Sequence, residues 1–193
     1  MRWDNLFDDL EGQLEQELSA EELDLKAEEE RLRLGRLGIR DRLIAARGEP
    51  LRLVLTNGEP LTVRSPNFGK DWLSADVVDD SRRDSQCIVP LAAIAAVVFT
   101  RTQLERSLAP VPPAVSGVSL PARLSLSFVL RDLCRRRAAL ELRTPLGAFH
   151  GTIDRVGRDH LDLAIHEAGE PRRDAAVSQS RLVPLDQVLL VRV

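Results

Sequence analysis

Val89-Pro-Leu-Ala-Ala-Ile94 returns later in the chain as Val183-Pro-Leu-Asp-Gln-Val188, and this recurrence decides how the rest is read. A proline between apolar residues cannot donate to a strand ladder, so it suits a corner where one strand stops and the next begins. Working outward, the segments before each copy also correspond. Gly69-Lys-Asp-Trp-Leu73 answers to Gly157-Arg-Asp-His-Leu161, and Gly58 to Gly147. Leu51-Arg-Leu-Val-Leu55 answers to Leu140-Glu-Leu-Arg143, and Arg40-Asp-Arg-Leu43 to Arg131-Asp-Leu133. Glycines, the Val-Pro-Leu corner and the apolar alternation agree in order, which marks a tandem duplication.

Within the first copy, Leu51, Leu53 and Leu55 alternate with Arg52, Val54 and Thr56, as in a half-buried strand. Asn57-Gly58 is a hairpin signal, and Leu61–Val63 follows as the second strand. Ser65–Gly69 reads as a loop. Trp72–Val78 alternates again, with Leu73, Ala75 and Val77 on one face, and Asp79–Ser85 is a charged turn. Cys87–Val89 and Ala93–Phe99 complete the set, joined at Pro90. Five short strands with tight turns predict a small, strongly bent barrel. Ile39–Arg47 and Leu124–Arg137 predict a short helix ahead of each barrel, and residues 139–193 repeat the strands.

This unit resembles the Sm-like or SH3-like small barrel, most clearly in Gly147-Ala-Phe-His-Gly-Thr-Ile-Asp-Arg-Val-Gly-Arg-Asp-His-Leu-Asp-Leu163. The resemblance covers residues 39–99 and 124–193 and implies fold alone; no binding residue is carried over. The expected class is α+β, mainly β: two tandem five-stranded barrels of SH3/Sm-like type, each with a leading helix, plus an acidic helical arm. The corresponding divisions are 1–38 (arm), 39–102 (first barrel), 103–122 (proline-rich linker) and 123–193 (second barrel). Ser107–Pro121 holds four prolines, which gives the linker polyproline character.

Charge divides along the same lines. Residues 1–34 carry twelve Asp/Glu against four Lys/Arg, and the remaining 159 carry eighteen against twenty-three. An acidic segment thus precedes a mildly basic body. Lys26 and Lys70 are the only lysines, as the codon usage of a GC-rich genome would give, and this composition also resembles actinobacterial proteins. Aromatic residues are 4% with no Tyr, which disfavours stacking platforms for bases or sugars. Two cysteines, Cys87 and Cys134, make neither a disulfide scaffold nor a four-ligand zinc site, and free thiols are expected. No signal peptide is legible. The longest apolar run, Ile88–Phe99, is too short to cross a bilayer. A cytoplasmic location in a bacterial cell and no membrane insertion are expected.

Candidate sites follow from residue type and spacing. Trp3, Leu6, Phe7, Leu10 and Leu14 recur at helical spacing and form one apolar stripe, which either docks on the chain's own barrels or is presented to the groove of a partner protein. Arg82-Arg83 and Arg172-Arg173 precede the final strands of the two copies. With Arg135, Arg136 and Arg137 they form the alternative, a basic rim for nucleic acid. His150, His160 and His166 lie near Asp154, Asp159 and Asp162, yet they read as a solvated strand face, and no metal or cofactor is expected. Asp71 and Asp159 occupy equivalent turns and read as structural. No nucleophile–base spacing or phosphate loop stands out. The expectation is a non-catalytic adaptor or scaffold that binds a protein through the N-terminal helix and barrel surfaces. The alternative is an RNA- or DNA-binding regulator, transcriptional or RNA-chaperone-like, acting through the arginine loops.

Overall fold

The alternation of Leu51–Leu55 becomes strand β1, with its three leucines buried and Arg52 exposed. The computed structural model describes residues 22–78, 86–110, 120–169 and 172–193, with 65, 66, 120, 121 and 174 described by backbone alone. After β1 (Leu51–Leu55) come β2 (Pro60–Phe68), β3 (Trp72–Val77), β4 (Gln86–Pro90) and β5 (Ile94–Val98). The second set is β6 (Ala139–Thr144), β7 (Gly147–Val156), β8 (His160–Ile165), β9 (Gln179–Pro184) and β10 (Leu190–Arg192). The helices are α1 (described over 22–35), α2 (Ile39–Ala45), α3 (Arg101–Leu108) and α4 (Leu126–Arg135).

The chain forms two compact units, Met1–Gly38 and Ile39–Val193. In the first, α1 carries ion pairs one turn apart, Lys26 with Glu22, Arg31 with Glu28 and Arg33 with Glu30. Its Leu23, Leu25, Leu32 and Leu34 are exposed.

In the second unit all ten strands join one open sheet, in the order β5-β1-β2-β3-β4-β10-β6-β7-β8-β9, each neighbouring pair antiparallel. The expected pair of closed barrels is not found. A closed five-stranded barrel needs β4 to pair back on β5; here β4 pairs with β10 instead, Val191 opposite Ile88 and Arg192 opposite Cys87. The strand order is nevertheless the same on either side of that junction. The corner details repeat too. Gly69 N–H donates to the Trp72 carbonyl at 2.8 Å and Gly157 N–H to the His160 carbonyl at 2.9 Å. Leu91 N–H donates to the Asp71 carbonyl and Leu185 N–H to that of Asp159, at 2.9 and 2.8 Å. Arg40 Nε reaches the Gly69 carbonyl at 2.7 Å and Arg131 Nη2 that of Gly157 at 3.3 Å.

Two cores lie along this sheet, and the junction strands feed both. Leu189 and Leu190 pack into the core of Leu43, Leu53, Val63, Leu73 and Val89. Trp72 and Ile88 cross the other way, into the core of Leu130, Leu142, Ile153, Leu161 and Val191. Side chains at successive strand positions face opposite ways, so Ile88 and Val89 on β4, and Leu190 and Val191 on β10, serve different cores.

Other departures from the sequence reading have local causes. β2 extends through Ser65–Phe68 because its register against β3 shifts between Arg64 and Asn67, where Pro66 cannot donate. Helix α3 was not expected. A capping box starts it: Thr100 Oγ1 accepts from Gln103 N–H, and the Gln103 side chain accepts from Thr100 N–H. Asp79–Ser85 and residues 111–119 of the linker lie outside the described residues. Among the described residues no helix is long and apolar enough to cross a membrane.

Candidate functional site: the open sheet edges

An open sheet has two terminal strands, and among the described residues these are β5 and β9. Each presents backbone N–H and C=O groups on its outer side, the surface that accepts an added strand. The duplication supplies an internal control, because the counterparts of these strands, β10 and β4, are paired with each other. On β4, Cys87, Ile88, Val89 and Pro90 are all buried. On β9, the equivalents Leu182 and Pro184 are exposed while Val183 stays buried. Ile88 is 9% exposed and Leu182 65%. On β10, Leu190 and Val191 are buried, whereas their β5 equivalents Ala96 and Val97 are exposed and half-buried.

Beside β9 lies an apolar patch. Leu146, at the tip of the β6–β7 hairpin, is 86% exposed. It shares a shallow cleft with Pro145, Phe149, Leu182, Pro184 and Gln187. The Arg181 guanidinium lies 4.1 Å from the Phe149 ring centroid, a cation–π contact that covers the ring and keeps charge at the rim.

The stripe Trp3, Leu6, Phe7, Leu10 and Leu14 lies outside the described residues, as do Arg82 and Arg83. Arg135 and Arg136 both pair with Asp132, at 2.8 and 2.7 Å. Arg172 grips Asp154 with two hydrogen bonds of 2.7 and 2.8 Å. These bonds hold the Asp154 carboxyl below the usual carboxylate range, helped by the charges of Arg172, Arg137 and Arg155. The fold therefore gathers Arg137 and Arg172 around one aspartate with Arg155, a residue the sequence reading missed. Arg173 is exposed nearby in the chain. A second cluster was also missed: Arg52, Arg143 and Arg192 line a cleft with Thr62 where β1 and β2 approach β6 and β10. Arg143 there is engaged by Glu141 at 3.0 Å and Glu59 at 3.4 Å.

The histidines do not converge. His166 is buried, bonding Thr152 Oγ1 at 2.9 Å and the Glu167 carbonyl at 3.0 Å, rather than standing on a solvated face. His160 bonds Asp159 at 2.8 Å, which keeps that carboxyl low, and His150 lies 3.7 Å from Glu141. Among the described residues no three His, Cys, Asp or Glu side chains are placed to share a metal ion. Asp71 accepts from Leu126 N–H at 2.7 Å and so anchors the start of α4. Cys87 is buried and Cys134 half-buried; both are free thiols.

The edge site had a signal that went unread. Cys87-Ile-Val-Pro90 and Val188-Leu-Leu-Val191 are continuous apolar runs, the mark of strands covered on both faces, whereas Arg181-Leu-Val-Pro184, the counterpart of the first, opens with a charge. No protein-family model matches the chain, and neither a curated protein nor a solved structure matches it.

Proposed function

We propose that this chain is a non-catalytic scaffold that binds protein through the free edges of its sheet and the apolar patch beside β9. The observation that carries the reading is Leu182, 65% exposed on a strand paired along one side only, and flanked by Leu146 at 86%. Strand addition satisfies edge N–H and C=O groups, and exposed leucines add the burial that makes an added strand stable. Among the described residues, His166 is bonded to Thr152, His160 to Asp159 and Asp154 to Arg172, and no three His, Cys, Asp or Glu side chains are placed to share a metal ion. Each half is an SH3/Sm-like unit opened by the junction, as the repeated strand order supports.

The test is affinity capture from nuclease-treated lysate by the wild-type chain and by Leu146→Asp. Protein retained by the wild type at high salt and lost with the variant supports the scaffold. Identical capture by both overturns it. The second reading, nucleic-acid binding, is favoured by the gathering of Arg137, Arg155 and Arg172. Phosphate contacts release counterions, so that reading requires retention on immobilised nucleic acid that fades steeply with salt and weakens in Arg155→Ala.

A further inference from the structure

We infer that the partner of these edges is a second copy of the same chain, joined head to tail with β9 of one copy alongside β5 of the next. This rests on the protein-binding reading above and names its partner. The chain already contains one such joint. β4 and β10 are the fourth and fifth strands of the two copies, and they pair antiparallel. β9 and β5 are again a fourth and a fifth strand, and among the described residues each is paired on one side only. Every chain therefore carries the two halves of the joint it has already made once, at opposite ends of its sheet.

The side chains agree position by position. Ile88 crosses the internal junction into the second core beside Val191. Its equivalent Leu182 is exposed and has no core to enter within the chain. The equivalent of Val191 is Val97, half-buried at the free edge of the first core. Head-to-tail pairing sets Leu182 against Val97 of the next copy, as Ile88 is set against Val191. The next position swaps its residues: Arg192 faces Cys87 inside the chain, and Val98 faces Arg181 between copies. Each joint thus matches one arginine with one smaller side chain. Pro184 and Ala96, exposed now, would be covered as Pro90 and Leu190 are.

Two differences set the strength. Leu189 and Leu190 enter the neighbouring core at the internal joint, and Ala95 and Ala96 replace them on β5. Less apolar surface is buried, so the joint between copies is weaker than the internal one and forms with rising concentration. It is also heterologous: it leaves one free edge at each end, and copies continue until a ring closes or a filament grows.

Leu182→Glu disables β9 and Ala96→Glu disables β5. Both positions are exposed, and circular dichroism should show each variant folded. Wild-type chain should show a mass that rises with concentration above 21.5 kDa in sedimentation equilibrium. Each variant alone should stay at the monomer mass. An equimolar mixture should recover a species of twice that mass, because each variant retains the edge the other lost. A wild-type chain that remains monomeric up to ~1 mM, the threshold of even weak association, overturns the inference. So does Ala96→Glu that pairs with itself, which would mean β9 against β9. Either failure leaves the scaffold reading to be decided by the Leu146 capture, on a different residue.

Discussion

At the scale of single residues, the duplicated Gly-x-Asp corner carries unequal strain. A Cβ on Gly69 would stand 2.1 Å from the Trp72 indole, and one on Gly157 2.5 Å from the His160 ring. Trp72 is 7% exposed and its Nε1 donates to the Leu124 carbonyl at 2.9 Å, so its ring has nowhere to go. The His160 side chain is 40% exposed and can swing outward. Gly69→Ala should therefore cost about 1–3 kcal/mol, as overpacked sites do, and Gly157→Ala less. Urea titrations of the two variants check the order, and equal losses would contradict it. The Arg172–Asp154 pair gives a pH prediction. The Asp154 carboxyl titrates lower when folded than when unfolded, so the pair stabilises above the ordinary carboxylate range. That contribution is lost as pH falls through the lowered value. Arg172→Ala should bring Asp154 back up in a carboxyl NMR titration. It should remove no more than ~1 kcal/mol at neutral pH, the pair being near the surface, and the gap from wild type should close in acid.

At the scale of elements, α3 shows what a short helix needs. Its capping box ties Thr100 to Gln103, and the Gln103 amide also donates to the Pro50 carbonyl at 3.0 Å, joining α3 to the start of β1. Gln103 is 2% exposed. Thr100→Ala should cost about 1 kcal/mol, the usual loss of a cap. Gln103→Ala should cost more, because it removes a buried side chain together with its bonds to the Thr100 N–H and the Pro50 carbonyl. Thermal unfolding of both variants measures the difference. This helix was illegible in the sequence because Arg101–Leu108 has no apolar stripe; its buried residues are Gln103 and Ser107. The strands were legible for the opposite reason. Leu51–Leu55 alternates at period two, and Gly58, with φ of 87°, marks the turn that the Asn-Gly pair announces. The β4–β10 pairing was not, since strands so far apart in the chain leave no local period to read. Only two-sided apolar runs hint at it, and those equally fit a buried strand in a closed barrel. The candidate edge was hidden with it, because Leu182 has meaning only once β9 is known to be terminal.

At the scale of the whole unit Ile39–Val193, the crossed packing at the junction makes each half complete the other. Leu189 and Leu190 fill the first core, and Trp72 and Ile88 fill the second, so separating the halves would open both. Two halves that share side chains in this way should unfold as one cooperative body rather than in sequence. Cys87 is placed to report it. It sits on β4 directly opposite Arg192 of β10, 1% exposed, and burial pushes its thiol up to about 11. At neutral pH the thiol is protonated and shielded, so it reacts with a thiol reagent only when the junction opens. Its raised value also means that stability should fall as pH climbs from the ordinary thiol range toward about 11, because the unfolded chain gives up that proton first. Cys134, half-buried near the end of α4, should label quickly and serve as the internal standard. If the halves part only on global unfolding, the free energy from Cys87 labelling under native conditions equals that from urea titration. A markedly lower value from labelling would mean that the junction opens by itself while both cores survive, and the shared side chains would then be no bar to the halves folding apart.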